Sequence, residues 1–172
     1  MAGLVAEFRI NISKLSEGTH EYTFSTEPLK IGVNEPFRGS IKVKARLDKN
    51  SRQIFLNTEI WAEGSFVCDR CIEDFTRQLR AGYSIVYIQG DKPAADAKEE
   101  DVQIISADTN YIDLDDDIRQ SVLLAVPQKL LCREDCQGLC PICGVNKNKT
   151  GCSCVNEKND SRWDELKKLS HN

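Results

Sequence analysis

The sequence predicts an α+β fold in which a twisted antiparallel, barrel-like β-sheet is covered by one main helix and followed by a cysteine-rich zinc-binding module. Three observations lead to this prediction. Apolar and polar residues alternate cleanly over residues 37–47, which is typical of a strand with one buried face. Apolar residues recur at helical spacing over residues 113–126. Six of the eight cysteines lie between Cys132 and Cys154.

The N-terminal part of the chain is predicted to form strands. Two short segments rich in branched and aromatic residues, 3–12 and 19–24, flank Ser16-Glu17-Gly18 and predict a hairpin. The strand over residues 37–47 then has two distinct faces. Its apolar face consists of Ile41, Val43, Ala45 and Leu47. Its polar face consists of Arg38, Ser40, Lys42, Lys44 and Arg46.

Two longer strands, over residues 52–67 and 75–89, enclose Cys68-Asp69-Arg70-Cys71. This cysteine pair is therefore predicted at the tip of a long β-hairpin. The following segment, residues 90–101, has no aromatic or branched apolar residue and is expected to be a mobile loop. A short strand is expected over residues 102–106.

The main helix is predicted over residues 113–126, with Leu114, Ile118, Ser121, Val122 and Ala125 on one face. Asp113 is expected to cap this helix, and the three aspartates that follow Leu114 suit the first turn because carboxylates favour the helix dipole there. Pro127 is expected to end it. A second, short helix is predicted over residues 159–170, with Asp160 as its cap.

The cysteine pattern predicts two zinc ions. Zn²⁺ takes four thiolates in a tetrahedron, and a Cys-x-x-Cys turn directs two sulfurs to one ion. Cys140-Pro141-Ile142-Cys143-Gly144 is such a turn, because Pro141 presets φ and Gly144 lets the backbone turn sharply. The predicted ligands are Cys68, Cys71, Cys132, Cys136, Cys140, Cys143, Cys152 and Cys154.

The eight cysteines can be divided between two ions in more than one way. The favoured partition joins Cys68 and Cys71 with Cys132 and Cys136, and leaves the other four as a local site that needs little loop closure. The rival partition joins the two Cys-x-x-Cys turns, as in a zinc ribbon. Free thiols, or a redox pair at the hairpin tip, are the alternatives to metal.

The charge distribution provides a candidate RNA-contacting surface. A net charge of −4 argues against a protein that coats nucleic acid through its overall charge. Residues 29–55 nevertheless hold seven basic and two acidic residues (local charge +5), whereas residues 91–117 hold two basic and ten acidic ones (−8). Trp61 and Tyr83 are expected to pack in the core or on the sheet surface, with stacking on bases as the alternative. The candidate RNA-binding residues are Arg38, Lys42, Lys44 and Arg46. An ordinary solvated strand face is the alternative explanation for these residues, and lysines on a strand also protect an edge from pairing.

Several function classes are disfavoured. No run of 18 apolar residues occurs and the N-terminus lacks a leader pattern, so a cytoplasmic protein without a membrane partner is expected. The sequence has no glycine-rich phosphate loop, and its only histidines are His20 and His171. Zinc held by four protein sulfurs keeps no position for a reacting water. We therefore expect no enzymatic activity and no small-molecule substrate.

Four segments together resemble the bacterial and plastid YceD family, known as the large ribosomal RNA subunit accumulation proteins. They are VCDRCIEDF, YIDLDDDIRQSVLLAVPQKLLC, CREDCQGLCPICGVNKNKTGCSC and NDSRWDELKKL, and the resemblance covers about residues 35–170. The tail departs mildly, because Ser161 stands where the family commonly has proline. The positions that match the family's motifs directly are Cys68, Cys71, Cys140, Cys143 and Gly144.

The resemblance implies a non-catalytic factor for the accumulation of large-subunit (23S) ribosomal RNA and for ribosome assembly, which binds rRNA, a large-subunit ribosomal protein, or both. On this hypothesis the basic face contacts rRNA, and the acidic residues within 91–117 hold a basic ribosomal protein. Two other classes stay open: an adaptor or chaperone for a ribosomal protein without RNA contact, and a zinc-thiolate redox sensor. The expected units are a β-rich domain over residues 1–131 and a zinc module with a terminal helix over residues 132–172.

Overall fold

A computed structural model of the chain describes residues 8–90 and 102–155. Within these ranges the chain forms seven strands, one α-helix and one short 3-10 helix. The strands are β1 (Arg9–Asn11), β2 (Gly18–Thr26), β3 (Phe37–Lys49), β4 (Gln53–Val67), β5 (Asp74–Gln89), β6 (Val102–Ile105) and β7 (Tyr111–Asp113). The helices are the 3-10 helix Pro28–Ile31 and α1 (Asp115–Leu124).

The main sheet has five strands in the order β2-β3-β4-β5-β6. Its first four strands are antiparallel neighbours, and the β4–β5 hairpin is paired from Gln53 opposite Ile88 to Val67 opposite Asp74. β6 pairs with β5 in parallel. β1 and β7 form a separate two-stranded antiparallel sheet.

The core lies on one side of the main sheet because alternate residues of β3 and β4 are buried there. α1 contacts β4 and β5 and buries Ile118 and Val122 against this side. Phe8, Ile10 and Ile12, in and around β1, are also fully buried. Burying a large apolar side chain stabilises the fold by about 1.5–3 kcal/mol, so this layer holds the sheet in place. The other side of the sheet is exposed. We call that other side the outer face.

The longest predicted elements are confirmed. β3, β4 and β5 lie within two residues of their predicted bounds, and Cys68 and Cys71 lie at the tip of the β4–β5 hairpin. α1 is shorter than the predicted helix over residues 113–126. Asp113 contributes to its start, since its Oδ1 accepts a hydrogen bond from the backbone N–H of Asp115 at 3.0 Å.

The predicted N-terminal hairpin is wrong. β2 pairs with β3 over nine residue pairs, and β1 pairs with β7 at the start of α1. The turn residues between β1 and β2 indicate only that the chain reverses direction there. Which strand each of them pairs with depends on the apolar surface that the pairing buries. β3 offers β2 a full-length ladder, whereas β1 is only three residues long.

The predicted barrel is also wrong, and the sheet is not entirely antiparallel. Among the described residues the main sheet stays open, with β2 and β6 as its edges. The helix predicted over residues 159–170 lies outside the described residues. The loop predicted over residues 90–101 lies outside them except for residue 90, as does most of the first predicted strand. The division of the chain after residue 131 stays a prediction.

Candidate functional site

The hairpin tip brings Cys68 and Cys71 next to Cys132 and Cys136, which follow α1. The Sγ of Cys68 lies 3.8 Å from the Sγ of Cys136, and the Sγ of Cys71 lies 3.7 Å from that of Cys132. All four sulfurs lie within 4.8 Å of one another. Three of the four side chains are buried, and Cys132 is partly buried. We call these four residues the first thiol group.

These spacings can be compared with the two chemistries open to clustered cysteines. With Zn–S bonds of about 2.3 Å, the sulfurs of a tetrahedral site lie about 3.8 Å apart. A disulfide requires sulfurs about 2.05 Å apart. The measured separations of 3.7 and 3.8 Å match the tetrahedron. The first thiol group therefore fits a thiophilic metal ion with four protein ligands.

A second thiol group is formed by Cys140, Cys143, Cys152 and Cys154, whose sulfurs also lie within 4.8 Å of one another. It is built from fifteen consecutive residues and is more open than the first group, because Cys143 and Cys154 are exposed. The structure thus groups the eight thiols according to the favoured partition. The zinc-ribbon pairing of the two Cys-x-x-Cys turns is not the one observed.

The two Cys-x-x-Cys turns have the same backbone hydrogen bonds. In the first turn the N–H of Ile72 donates to the carbonyl of Cys68 at 2.9 Å, and in the second the N–H of Gly144 donates to the carbonyl of Cys140 at 2.9 Å. In both, the N–H of the first cysteine donates to the carbonyl five residues later, at 2.9 Å and 2.8 Å. The chain therefore builds the same Cys-x-x-Cys turn twice from different sequences.

The sulfur that begins each turn ionises readily. Burial opposes ionisation of Cys68, but backbone N–H groups, first that of Cys132 and then those of the turn itself, lower its pKa to about 6. Backbone N–H groups, led by that of Cys143, likewise lower the pKa of Cys140 to about 6. By contrast, burial and the neighbouring thiols raise the pKa of Cys132 to about 12. Binding of a metal by four thiolates would therefore displace protons from each group.

Hydrogen bonds join the hairpin tip to the chain that follows α1. Asp69 and Leu130 bond reciprocally, through the Asp69 N–H to the Leu130 carbonyl at 2.8 Å and the Leu130 N–H to the Asp69 carboxylate at 2.6 Å. The guanidinium of Arg70 donates to the carbonyl of Cys136 at 2.8 Å, and that of Arg77 donates to the carbonyl of Leu131 at 2.8 Å. The first thiol group thus lies at a junction that backbone and side-chain hydrogen bonds already close.

The candidate RNA-binding residues Arg38, Lys42, Lys44 and Arg46 all lie on the outer face of β3 and are exposed. Two of them have acidic partners: Lys44 is 3.6 Å from Glu21, and Arg46 is 3.6 Å from Asp48. Lys42 and Arg38 make no ion pair within the described ranges. The basic face is therefore partly neutralised, and its available charge is concentrated towards the beginning of β3.

The two aromatic candidates lie on opposite sides of the sheet. Tyr83 packs against the core and its hydroxyl is buried, so the expected packing is confirmed for this residue. Trp61 belongs to the outward series of β4 and is partly exposed.

The aspartates at the start of α1 are partly used by the fold itself. A carboxylate oxygen of Asp115 accepts a hydrogen bond from the N–H of Phe8 at 2.8 Å, and Asp116 is 2.8 Å from Arg119. Burial, together with Asp116 and Asp113, raises the pKa of Asp117. Asp115 therefore fixes the beginning of the helix against the N-terminal segment, and Asp116 pairs within the helix.

Comparison with known families decides the relationship of the chain. The sequence profile of the family described as "Large ribosomal RNA subunit accumulation protein YceD" matches residues 56–170, which is more than half of the chain. The chain belongs to the YceD family. The match begins in β4 and includes both thiol groups and α1. The resemblance drawn from the four sequence segments is confirmed.

Curated relatives of this YceD family chain are uncharacterized proteins from Mycobacterium bovis and from two strains of Mycobacterium tuberculosis. Each is 28% identical over 122 residues, a segment that covers 70% of this chain and 58% of the relative. No solved structure matches the chain. In the part of the chain that the structure describes, no helix is long and apolar enough to cross a membrane.

One residue at the site of this YceD protein was not found from the sequence. Asn148 lies in the loop of the second thiol group, and its side-chain amide donates to the Sγ of Cys136 at 3.2 Å. Its Oδ1 accepts from the N–H of Gln137 at 2.8 Å and from Arg133 at 2.7 Å. Asn148 thus links the two thiol groups. The Asn-Lys repeat around it, which suggests only a polar loop, gave no signal for this contact.

The repeated turn of this YceD protein yields a stability prediction. The residue after the second cysteine has positive φ in both turns, at 58° for Ile72 and 73° for Gly144. An L-residue pays about 1–2 kcal/mol there, and Ile72 is exposed and so loses little packing when replaced. We expect Ile72→Gly to raise the free energy of unfolding by about 1 kcal/mol. The matched variant Gly144→Ala should lower it by a similar amount. Urea unfolding of metal-loaded protein measures both, and a loss of stability in Ile72→Gly would contradict the explanation.

Proposed function

We propose that this protein is a non-catalytic factor for the accumulation of large-subunit (23S) ribosomal RNA and for ribosome assembly, and that it acts by binding rRNA, a large-subunit ribosomal protein, or both. The observation that carries the proposal is membership of the YceD family, whose description names large ribosomal RNA subunit accumulation. The architecture supports it, because a long sheet presents an exposed face while its other face is fully packed.

The cysteines would make this sheet a rigid platform. Zinc, when bound, supplies a redox-inert cross-link between four thiolates. In the first thiol group that cross-link would hold the β4–β5 hairpin tip to residues 132–136, where Arg70 and Asp69 already bond across the junction. A metal with four protein sulfurs keeps no position for a substrate water, which supports a non-catalytic role.

Contact with rRNA is assigned to the outer face of β3. Lys42 and Arg38 are exposed and have no ion-pair partner within residues 8–90 and 102–155, so they are available to phosphates. Lys44 and Arg46 would first have to leave Glu21 and Asp48. Because such exposed pairs contribute only about 0–1 kcal/mol, a phosphate backbone can compete with them.

The proposal is tested in cells that lack this chain. We expect the ratio of large-subunit to small-subunit rRNA to fall, and to recover when the full chain is restored. A matched complementation with Cys68→Ser tests whether the cross-linked tip is required. An unchanged ratio in the deletion strain would contradict the proposed function.

A ribosomal-protein adaptor without RNA contact is the second candidate. The pairing of Lys44 and Arg46 with acidic neighbours on the same face favours it, because it reduces the charge offered to RNA. Co-purification of a basic ribosomal protein that survives ribonuclease would support this candidate. Loss of that protein on ribonuclease treatment would support contact through rRNA.

A zinc-thiolate redox sensor is the third candidate, and the exposure of Cys143 and Cys154 favours it. Oxidants reach exposed thiolates first, and a thiol oxidised to a disulfide no longer holds the metal. This function requires release of zinc at low peroxide and its recovery after reduction by thiol. Retention of both ions under peroxide would rule it out.

A further inference from the structure

A row of three side chains crosses the outer face of the sheet at its centre. In the strand register Lys42 of β3 is opposite Trp61 of β4, and Trp61 is opposite Arg80 of β5. All three belong to the outward series of their strands. An indole is therefore flanked on both sides by a cation, with the two basic residues roughly 10 Å apart across the strands. We call these residues the Trp61 row.

The charges around the row define a direction. Within the described residues neither Lys42 nor Arg80 has an ion pair, unlike Lys44 and Arg46 further along the same face. Along β4, however, Trp61 has exposed carboxylates two residues away on either side, Glu59 and Glu63. Along β4 a polyanion is repelled on either side of Trp61, whereas across the strands it meets Lys42 and Arg80, so the row favours a path that crosses the strands.

A cleft of about 180 Å³ opens beside Trp61 on this path. It arises at a bulge in β3 between Arg38 and Lys42, where Gly39 has a φ of 71°. The bulge interrupts the ladder and leaves polar side chains of Ser40, Glu63 and Gln78 around the cleft. An amide and a hydroxyl both donate and accept hydrogen bonds, which suits the edge of a nucleobase.

We propose that the Trp61 row binds one unpaired nucleotide of RNA, with the base stacked on the Trp61 indole and its flanking phosphates on Lys42 and Arg80. The inference rests on the proposed function and gives its RNA contact a site. An aromatic between cations is the arrangement with which proteins bind single strands, because every base has a face to stack. Bases within a duplex are already stacked and cannot use it, so the ligand is a loop, bulge or single strand.

The test uses the full chain with Trp163→Phe, which leaves Trp61 as the only tryptophan. A single-stranded RNA segment of large-subunit rRNA, and the same segment as a duplex, are titrated against the metal-loaded protein. We expect the single strand to quench Trp61 fluorescence and the duplex to leave it unchanged. Variants that lack Trp61 are compared by filter binding. Trp61→Ala should weaken single-strand binding about 5- to 150-fold, and Trp61→Phe should retain most of it.

One control variant and one further variant make the result specific. Phe55 is another outward aromatic of β4, but it lies opposite Asp48 and Val86 rather than cations, so Phe55→Ala should bind RNA like the wild type. Lys42→Ala/Arg80→Ala should reduce the slope of log affinity against log salt by about 1.4.

The outcomes separate this inference from the function on which it rests. Suppose that the protein binds rRNA, that Trp61→Ala and Phe55→Ala bind it equally well, and that RNA does not quench the fluorescence of the Trp163→Phe protein. The stacking site is then overturned and the proposed function stands. If the wild type binds no RNA, the RNA half of the proposed function fails as well. Equal quenching by poly-glutamate would also overturn the inference, because it would assign the row to an acidic protein.

Discussion

The variant Lys42→Glu/Lys44→Glu/Arg46→Glu is expected to bind large-subunit rRNA at least about 100-fold more weakly than the wild type at 0.1 M salt. Three contacts to phosphates of a single strand contribute about 2 to the slope of log affinity against log salt. The variant should lose this contribution. Reversal adds repulsion, because the new carboxylates would stand on the outer face beside Glu21 and Glu59. Filter binding or fluorescence anisotropy over a series of salt concentrations measures both quantities.

The control for this variant carries the same change in net charge elsewhere. Lys14, Arg52 and Lys129 are exposed and lie outside the outer face of β3, so their reversal to glutamate should change the affinity far less. Thermal unfolding of both triple variants establishes whether each remains folded. Equal affinities for a folded β3 variant and the wild type would remove rRNA contact from this face and leave the adaptor function in its place.

Replacing Cys68 by serine is expected to lower the zinc content from two ions to one per chain. Serine offers no thiolate, and the three remaining cysteines of the first thiol group cannot complete a tetrahedron of sulfur. Cys68 is fully buried at the hairpin tip, so the loss also separates the tip from residues 132–136. We expect the unfolding temperature to fall by about 10 °C when zinc is at a thousand times its dissociation constant. Elemental analysis and calorimetry provide the two measurements.

Cys143→Ser is the matched variant, because Cys143 is exposed and belongs to the second thiol group. It should also lose one zinc ion, with a smaller effect on unfolding, since that group spans only residues 140–154. The double variant Cys68→Ser/Cys143→Ser distinguishes the grouping seen in the structure from the zinc-ribbon pairing. It should retain no zinc if the groups are those of the structure, and one ion if Cys68 and Cys143 shared a site. Purified wild-type protein without metal would contradict the metal assignment altogether.

The elements that could be predicted from the sequence are those whose signal is local and long. β3 has a strict period of two with Ile41, Val43, Ala45 and Leu47 buried, and only a half-buried strand satisfies that pattern. The hairpin tip followed from the two long strands on either side of the cysteine pair. The favoured grouping of the thiols followed from loop closure, because four cysteines within fifteen residues can meet without long-range order.

The parts that could not be predicted depend on pairing between distant segments. Nothing near Arg9–Asn11 indicates that this strand pairs with Tyr111–Asp113, about a hundred residues later. The parallel partner of β5 was missed for the same reason. At the site, the contact from Asn148 to Cys136 and the alignment of Trp61 with two cations depend on register and on loop geometry, which composition does not encode.

The central claim is that this chain contacts large-subunit rRNA in the cell, and crosslinking tests it most directly. The full-length protein is crosslinked to RNA in living cells with ultraviolet light and purified under denaturing conditions, and the attached RNA is sequenced. The account predicts reads concentrated in unpaired segments of large-subunit rRNA, with a strong loss for the Lys42→Glu/Lys44→Glu/Arg46→Glu variant. Equal recovery of large- and small-subunit rRNA, or no RNA above background, would contradict it.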